Sequence, residues 1–343
     1  LDPTGWVLRG AERLFAVTDW VLMQCAALPV TSSGFMSPPL WSLAPAAVGV
    51  ALLLAPRGMP GRLLGGVFLL PLFVLQSEPL PLGTFRATVL DVGQGLAVLV
   101  ETRHSALLFD TGQLPNGERV ILPALRAAGR LRLDELLLSH NDNDHVGAAE
   151  VLLTQLPINE TLHSLPDTLP WLAPVKSRQR CTAGAAWEKD GVTFRLLWPP
   201  EGFLSKQDNA NSCVLLVDNG KHRLLIPADL GGREEAQLVA TGLPRSDIVI
   251  AGHHGGKGSS STQFVEAIRA QFAVFSVGYR NHFGHPRLDT LERYASAGTR
   301  NLRTDQSGAL IFNVDERITV VPWRDYRRRY WYAPASGVAE GEN

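Results

Sequence analysis

One stretch of the chain, LSHNDNDHVGA at residues 138–148, places two histidines and two aspartates within six consecutive positions. These are His140, Asp142, Asp144 and His145. The spacing of His140 and Asp142 fits an extended turn that directs both inward. Asp144 and His145 stand where a helix would begin, and a helix N-terminus favours carboxylates. The alternative is a polar loop in which Asp144 caps the next helix, but four metal-binding side chains so close together favour a metal site.

Further candidate ligands stand at the ends of apolar runs that are typical of buried strands. Asp110 ends ALLFD, Asp229 ends RLLIPAD, and His253 and His254 end DIVIAGHH. Folds of the α/β class build active sites where such strand ends converge on one edge of a sheet. The whole set is too large for one ion, which needs about three or four ligands. It fits two metal ions that share a carboxylate bridge, an arrangement that activates water for hydrolysis, notably of phosphate esters.

The chain from about residue 84 onward has the pattern of a soluble α/β domain. Short strand-like runs recur along it, with segments of helical periodicity between some of them. Tight turns join the early strands, whereas helices separate the later ones. Strands paired in hairpins and covered by helices predict a layered α/β (α+β) sandwich with helices outside.

The first 80 residues have a different composition. Residues 40–55 and 63–76 are apolar and carry no charge, and with their flanks each could span a bilayer. The alternative is a pair of buried core helices. Residues 6–28 carry four charges among apolar residues, a pattern that predicts an amphipathic interfacial helix. If Arg57 and Arg62 mark a cytoplasmic loop, the domain after residue 80 lies on the far side of the membrane.

Cysteine spacing and net charge exclude some classes. Cys25, Cys181 and Cys213 are far apart without a Cys-x-x-Cys pair, so we expect core cysteines rather than a disulfide framework or a zinc ribbon. The formal net charge of -1 gives no global attraction to nucleic acid, and binding to a polyanion would need a local patch. The chain begins with Leu1, and we interpret it as the tail of a longer protein.

Several motifs resemble the metallo-β-lactamase superfamily, whose second motif reads His-x-His-x-Asp-His, and more closely the C-terminal part of the ComEC family of bacterial DNA-uptake channels. The motifs are VLDVGQG (89–95), LLFDTG (107–112), LSHNDNDHVGA, DNANSCVLLV (208–217), LLIPADL, IVIAGHHGGKGSSS and FSVGYRNHFGHP (275–286). The tract PRGMPGRLLGGVFLLPL is similar to the end of the ComEC membrane domain. Leu96 and Gly256 depart from the family pattern at positions that are not expected to bind metal.

The resemblance implies a four-layer αββα metallo-β-lactamase-like sandwich preceded by hydrophobic membrane helices. Residues 1–80 would end a membrane channel domain, with an amphipathic helix and two transmembrane segments. Residues 81–322 would form the hydrolase domain, and residues 323–343 a basic and aromatic tail. The implied activity is that of a metal-dependent nuclease that degrades the DNA strand not transported into the cell. The implied partners are DNA, the membrane, the rest of the channel and other competence proteins, at the bacterial cytoplasmic membrane.

On this resemblance, His140 and Asp142 would hold one metal ion, and Asp144, His145 and His253 the other. Asp229 would bridge them, and Asp144 and Asp229 would be catalytic. His254 is the alternative to His253, because adjacent residues of a strand point to opposite faces. Asp142 in place of a histidine, and the absent third-motif histidine, make the ligand set rich in oxygen, which favours Mn²⁺ over Zn²⁺, with Mg²⁺ also possible.

Other residues are expected to bind substrate or to support the site. His285 and Asn281 would contact phosphate or a leaving oxygen, and Lys257 and His254 would contact substrate. Asp91 and Asp110 would lie behind the ligands. In the tail, Arg327, Arg328 and Arg329 stand among aromatics, a mixture that binds phosphates and stacks on single-strand bases. Membrane-surface anchoring and a plain solvated tail are the alternatives.

Two other functions remain open. The first is hydrolysis of a small lactam or thioester, as elsewhere in the superfamily. Such hydrolases usually keep the third-motif histidine, where this chain has NANS. The second is a non-catalytic module that guides DNA, although such a module would not need the full ligand set.

Overall fold

The computed structural model describes residues 3–26, 38, 40–56, 58–74 and 79–329. The chain divides into two compact units. The first comprises Leu1–Gln76 with Arg126–Leu131, and the second comprises Ser77–Leu125 with Arg132–Asn343. The second unit contains all the predicted site residues.

The first unit is helical in its described part. Helix α1 spans Pro3–Ala26, α2 spans Leu43–Leu54, α3 spans Leu64–Leu69 and α4 spans Pro71–Val74, with a short 3₁₀ turn at Leu40–Ser42. Helices α2 and α3 pack closely at two glycines: a Cβ added to Gly49 would lie 2.6 Å from the carbonyl oxygen of Gly65. Small residues at a helix crossing allow this approach of two backbones.

The two predicted transmembrane segments are not supported. In the part of the chain that the structure describes, no helix is both long enough and apolar enough to cross a bilayer. The first apolar run gives the 12 helical residues of α2, about 18 Å of helix against a hydrocarbon core of roughly 30 Å. The second run is divided between α3 and α4, with the break directly before Pro71, whose ring removes a backbone donor. A helix does form over most of residues 6–28, and its interfacial position stays a prediction.

Two sheets form the framework of the second unit. The first sheet has the order β15-β14-β1-β2-β3-β4-β5-β6, and the second has the order β13-β12-β11-β10-β9-β8-β7. The strands of the first sheet are β1 Phe85–Val89, β2 Val98–Glu101, β3 Ala106–Phe109, β4 Leu133–Leu138, β5 Ile158–His163, β6 Arg178–Arg180, β14 Leu310–Val314 and β15 Ile318–Pro322. Those of the second sheet are β7 Ala186–Lys189, β8 Val192–Trp198, β9 Val214–Asp218, β10 Arg223–Ile226, β11 Ile248–Ile250, β12 Phe272–Phe275 and β13 Arg300–Arg303.

Helices flank the sheets and connect their parallel strands. They are α5 Leu122–Ala127, α6 Asn143–Val146, α7 Ala149–Gln155, α8 Gly232–Ala240, α9 Thr262–Ile268, α10 Leu288–Ser296, α11 Thr304–Ser307 and α12 Trp323–Tyr326. A π-helical turn at Gly117–Ile121 precedes α5, and 3₁₀ turns lie at Asp208–Asn211 and Gly252–Gly255.

The main core lies between the two sheets. Alternate residues of β1, such as Phe85 and Val89, share one buried cluster with alternate residues of β8, such as Phe194 and Leu196. A second cluster packs α9 and α10 against the other face of the second sheet, with Phe264 and Tyr294 at its centre. The predicted mixed α/β fold with two sheets is therefore confirmed.

The parallel strands place the predicted ligands together. Strand β3 pairs in parallel with β4, and β10 pairs in parallel with β11. Asp110 directly follows β3, and His140 closely follows β4. Asp229 and His253 come shortly after β10 and β11. Because parallel strands end at the same edge of a sheet, each pair of neighbouring strands presents its polar residues at one edge.

The cysteines differ from the sequence prediction. Cys181 and Cys213, 32 residues apart, form a disulfide, and Cys25 is exposed rather than in a core. Cys181 follows β6 of the first sheet and Cys213 precedes β9 of the second sheet. The disulfide therefore links the two sheets. The prediction that Cys181 and Cys213 lie in the core is confirmed, but the prediction that they are unpaired was wrong. It failed because no local motif marks a pair that only the packing of two sheets brings together.

Candidate metal centre

The motif at residues 138–148 turns from a strand into a short helix. Strand β4 ends at Leu138, and α6 begins at Asn143 with Asp142 in the N-cap position. The side chain of Asp142 makes no capping hydrogen bond, and its Oδ2 lies 3.4 Å from Nε2 of His140. Asp144 lies within the helix and is not its cap. The capping interpretation therefore does not account for either carboxylate.

Two groups of side chains are spaced to hold a metal ion. One consists of His140, His145 and Asp229, all buried, and the other consists of Asp144, His145 and His254. Within each group the candidate ligand atoms lie within 4.8 Å of one another. His145 belongs to both groups, so the two lie side by side. The structure brings four of the six predicted ligands into these groups, namely His140, Asp144, His145 and Asp229, but divides them differently from the sequence prediction.

Unsatisfied buried atoms test whether these residues fit a cation. Nε2 of His140, His145 and His254 and Oδ1 of Asp229 are buried without a hydrogen-bond partner. Leaving a buried polar atom unpaired costs roughly 1–3 kcal/mol. Such atoms are rare in a folded chain, and these four belong to the two adjacent ligand groups. The cluster and the fold together indicate a site for divalent metal.

Asp229 lies at the centre of the cluster. Its Oδ1 is 3.1 Å from Nε2 of His145 and 3.8 Å from Nε2 of His254, and its Oδ2 is 3.8 Å from Nε2 of His253. The 3.1 Å approach to His145 is close enough for an ion pair, but neither atom makes a hydrogen bond of acceptable geometry. Two ligand atoms directed at one ion come close in this way without pointing at each other. This position is compatible with the predicted bridging role.

Asp110 and Ser139 orient the histidines from behind. Oδ2 of Asp110 lies 2.7 Å from Nδ1 of His145 and accepts a hydrogen bond from the Ser139 hydroxyl at 2.7 Å. The Ser139 hydroxyl also lies 2.9 Å from Nδ1 of His140. With Nδ1 engaged in this way, Nε2 is the nitrogen that each ring presents to the cluster. Ser139 was missed in the sequence, although its position next to His140 could have indicated a supporting role.

Neighbouring histidines lower the pKa values of three carboxylates at the cluster. Burial raises the pKa of Asp229, but the nearby His145 and His254 outweigh burial and hold the pKa well below its usual range. Burial likewise raises the pKa of Asp144, but the nearby imidazoles of His254 and His145 more than compensate and lower it. The neighbouring imidazole of His140 lowers the pKa of Asp142. All three carboxylates are therefore ionised at neutral pH and available as ligands.

The structure distinguishes His253 from His254. Both adopt a left-handed backbone, with φ of 49° and 54°. The His254 side chain is 4% exposed and its Nε2 lies 3.2 Å from Oδ2 of Asp144. The His253 side chain is 37% exposed and lies outside both ligand groups. The geometry thus favours His254 as the ligand, the alternative to the residue that the sequence prediction preferred.

Asp142 is near the cluster but outside both groups. Its side chain is 48% exposed, and it lines the cavity over the cluster. Ser212 stands beside His140, with its Oγ 3.4 Å from Nδ1 of that ring. Asn211 instead binds the backbone of Ser205 through both amide atoms. The Asn-x-x-Ser stretch therefore brings a hydroxyl, and no imidazole, to this side of the site.

The predicted substrate residues take different positions. His285 lines the metal cavity, and burial, with His253 and His254 nearby, lowers its pKa. Asn281 donates from its amide to the carbonyl oxygens of Gly278 and His285 and accepts from the His285 N–H. Its contacts therefore hold a loop in shape. Lys257 is exposed in the loop after the histidine pair.

Asp91 and the arginines of the tail lie away from the cluster. Asp91 pairs with Arg324 at 3.2 Å, and burial raises its pKa despite that partner. Arg327 stacks over Trp323 at 5.7 Å. None of Arg327, Arg328 and Arg329 lines the cavity over the cluster, and residues 330–343 of the predicted tail lie outside the described residues.

The cluster forms the floor of a cavity of about 300 Å³. Gln94, Gln113 and Phe283 line this cavity and also line a second one of about 520 Å³. Both volumes suit binding of an extended small ligand or a short piece of a polymer. A candidate metal cluster with a cavity over it is therefore present in one unit.

Comparison with known proteins agrees with this geometry. Residues 90–278 match the family described as the metallo-beta-lactamase superfamily. The chain belongs to this superfamily. Its fold is that of a metal-dependent hydrolase.

Three curated relatives are competence or recombination proteins. The chain is 39% identical over 279 residues to "Competence protein ComA" of Neisseria gonorrhoeae. It is 33% identical over 279 residues to "Recombination protein 2" of Haemophilus influenzae, and 29% identical over 282 residues to "ComE operon protein 3" of Bacillus subtilis. The matches cover 80%, 80% and 74% of this chain but 39%, 34% and 36% of those proteins. The predicted ComEC-type resemblance is confirmed, and the chain spans little more than a third of its relatives' length.

Proposed function

We propose that the chain is a metal-dependent phosphodiesterase that cuts DNA. The observation that carries the proposal is the set of carboxylates at the cluster: Asp144 and Asp229 belong to the ligand groups, and Asp142 lies 3.4 Å from the candidate ligand His140. A hydroxyl, that of Ser212, stands beside His140. Two ions held between carboxylates suit the in-line displacement of a phosphate ester.

The proposed cofactors are two divalent ions, with Mn²⁺ preferred and Mg²⁺ or Zn²⁺ as alternatives. Carboxylate oxygens are hard ligands and favour Mn²⁺ and Mg²⁺ over zinc. His140, His145 and His254 would hold the ions through Nε2, and Asp144 and Asp229 through their carboxylates. Ions bound there supply Lewis-acid activation of water and stabilise charge on the phosphate.

The protein side chains have separate tasks in this proposal. Asp229, buried between His145 and His254, would keep the two ion positions at a fixed separation. Asp110 would hold Nδ1 of His145, so that the ring cannot turn away. His285, which lines the cavity outside both ligand groups, would donate a hydrogen bond to a substrate oxygen, and Asn281 would keep the loop of His285 in place. Lys257 and the tail arginines, Arg327 to Arg329, would bind phosphates farther along the strand.

The names of the relatives are the basis for the biological role that we propose. As part of a competence protein, the chain would degrade the strand that is not transported during DNA uptake. Its partners would be DNA, the membrane, the rest of the channel and other competence proteins. It would act at the bacterial cytoplasmic membrane with the hydrolase unit on the extracytoplasmic side. The Cys181–Cys213 disulfide supports that side, because disulfides persist in oxidising compartments.

Cleavage assays on the 343-residue chain test this function. Labelled single-stranded and double-stranded DNA are incubated with Mn²⁺, Mg²⁺ or Zn²⁺, and a chromogenic lactam is assayed in parallel. We expect cleavage of DNA with Mn²⁺, which Asp144→Ala and Asp229→Ala abolish. The matched control is Asp289→Ala, an exposed aspartate on α10, which should retain activity. Cleavage that survives in both site variants would refute the metal mechanism, and lactam turnover without DNA cleavage would refute the choice of substrate.

A further inference from the structure

A rigid loop next to the metal cavity displays two aromatic rings to solvent. Tyr279 is 60% exposed and Phe283 is 53% exposed. Asn281 fixes the loop between them, with hydrogen bonds to the carbonyl oxygens of Gly278 and His285. The loop, residues 278–285, therefore holds its shape without burying these rings in a core. Exposed aromatic side chains beside an active site commonly mark a binding surface.

Phe283 belongs to a stack of rings that leads to the metal cluster. Its ring centroid lies 3.9 Å from that of His282 and 5.8 Å from that of His285. The ring of His285 lies 6.4 Å from that of the ligand His254, and both this pair and the pair of Phe283 with His285 are stacked. A flat group placed against Phe283 would join these rings, beside the cavity that the candidate ligands Asp144, Asp229 and His254 also line.

The second cavity provides the space for such a group. Its volume is about 520 Å³, and it shares Gln94, Gln113 and Phe283 with the metal cavity. Among the described residues that line it, Arg280 is the only arginine, lysine, aspartate or glutamate, and its guanidinium lies 5.2 Å from the ring centroid of Tyr279. The remaining lining is aromatic, amide and apolar. This chemistry suits a neutral planar ring flanked by a phosphate.

We propose that residues 278–285 form a nucleobase subsite, in which Phe283 and Tyr279 stack on unpaired bases next to the scissile phosphate and Arg280 binds a flanking phosphate. This inference rests on the proposed function, because it specifies that the DNA substrate is single-stranded. Stacking needs a base with a free face, which a duplex does not offer away from its ends. The subsite therefore selects single-stranded DNA, with little preference for sequence, because every base has an aromatic face.

Binding of two oligonucleotides to the full chain tests the subsite without reference to cleavage. One probe is a fluorescein-labelled oligothymidylate, and the other has the same backbone with abasic sugars. Affinities are measured by anisotropy in EDTA and again in Ca²⁺, and gels confirm that the strands stay intact. We expect the wild-type chain to prefer the base-bearing strand. Phe283→Ala should weaken binding of that strand about 5- to 150-fold and leave binding of the abasic strand unchanged, because stacking contributes about 1–3 kcal/mol per base.

Companion variants separate stacking from charge and from folding. Phe283→Tyr should retain affinity, and Phe283→Leu should lose it although an apolar side chain remains. Arg280→Ala should weaken both strands and lower the salt dependence of binding by about one phosphate contact. Leu204→Ala, an exposed apolar residue outside both cavities, should change nothing.

The outcomes distinguish this inference from the proposed function. Equal wild-type affinity for the two strands, or no measurable binding of either, would overturn the subsite, as would a Phe283→Ala variant that loses affinity for both strands alike. If the preference for bases depends on Phe283 but no metal supports cleavage, the subsite stands and the proposed nuclease fails. If cleavage depends on Asp229 but Phe283→Ala binds like the wild type, the nuclease stands and the subsite fails.

Discussion

Asp110 shows how one residue outside the ligand set controls the site. It is fully buried, has a left-handed backbone with φ of 58°, and accepts hydrogen bonds from the backbone and hydroxyl of Ser139 at 2.8 and 2.7 Å. The same carboxylate holds Nδ1 of His145. One side chain thereby fixes the orientation of a ring that belongs to both ligand groups.

We predict that Asp110→Asn lowers the affinity for divalent metal by about 10- to 100-fold, as expected when a hydrogen-bond partner of a ligand histidine is changed. The amide can present its N–H₂ to His145, which would stabilise the wrong tautomer. Metal titration by calorimetry measures the effect. Asp134→Asn is the matched control, because Asp134 also accepts a backbone N–H, from Ala106 at 3.0 Å, but near the start of β4. Equal metal affinity in the two variants would contradict the role of Asp110.

His163 should make the fold sensitive to acid. Burial, followed by the charge of Arg180, lowers its pKa from 6.5 to about 4. Between pH 6.5 and about pH 4, the His163 imidazole is protonated in the unfolded chain but neutral in the folded chain. The contribution of His163 to the free energy of unfolding is therefore fully present above pH 6.5 and is lost as the pH falls toward 4. The loss between pH 7.5 and 5 should be about 2 kcal/mol.

Denaturant unfolding of the wild type and of His163→Asn at pH 7.5 and at pH 5 measures how much of this loss of stability comes from His163. Asparagine has no titrating group but can still accept the hydrogen bond that Leu165 N–H makes to the ring at 3.2 Å. The variant should lose less stability on acidification, whatever its stability at pH 7.5. The assignment fails if acidification costs both proteins the same free energy.

Single residues also show where the sequence is informative. The polar residues at strand ends identify the site, since neighbouring parallel strands bring their ends together whatever the loops do. The choice between His253 and His254 depended on the alternation of side chains along a strand. Both residues instead lie in a left-handed turn after β11, where that alternation does not hold. A left-handed backbone conformation cannot be predicted from the sequence at positions that are not glycine.

At the scale of elements, the loop after β1 must pass very close to the metal-binding loop. Gly95 has φ of 134°, and a Cβ at this position would lie 2.3 Å from the carbonyl oxygen of Asp144. The next residue, Leu96, donates its N–H to that same oxygen at 3.1 Å. The VGQG turn thus supports the backbone that carries Asp144 and His145.

We expect Gly95→Ala to displace the Asp144 backbone and to lower both metal affinity and the free energy of unfolding. Gly93→Ala is the matched control, since Gly93 also has a positive φ, 71°, but nothing lies within 4 Å of its added Cβ. The control should cost about 1–2 kcal/mol through backbone strain alone and leave metal binding intact. If Gly95→Ala binds metal as well as Gly93→Ala does, the close approach has no role in the site.

Helices and strands were predicted well where polar residues separate the apolar runs of the chain, and poorly where polar residues do not separate them. In the hydrolase unit, turns and strand ends alternate with apolar runs, so most strands could be located. In the first 80 residues, polar residues do not interrupt the apolar runs in this way, and the prediction of transmembrane segments rested on the length of the runs alone. Helix α2 nevertheless ends at Leu54, before Pro56, and α3 and α4 are separate. Apolar composition does not determine where a helix ends.

For the hydrolase unit as a whole, the position of the disulfide matters more than its presence. It joins the end of β6 in one sheet to the start of β9 in the other. Cys213 also donates its N–H to the carbonyl oxygen of Ser139 at 3.0 Å, and Ser212 stands beside His140. The covalent link between the sheets is therefore one residue away from groups that orient a metal ligand.

Removal of this link should weaken the fold and the site together. Cross-linking residues 32 apart restricts the unfolded chain by about 3–4 kcal/mol, so the Cys181→Ala, Cys213→Ala double variant should lose stability of this order in denaturant unfolding. Cys25→Ala is the control, because Cys25 is exposed and unpaired. Because the strand start at Cys213 contacts Ser139, metal affinity of the double variant should also fall under conditions where it remains folded. A loss of stability with unchanged metal affinity would show that the contacts of Ser139 and Ser212 persist without the disulfide, and that the two sheets hold the site by packing alone.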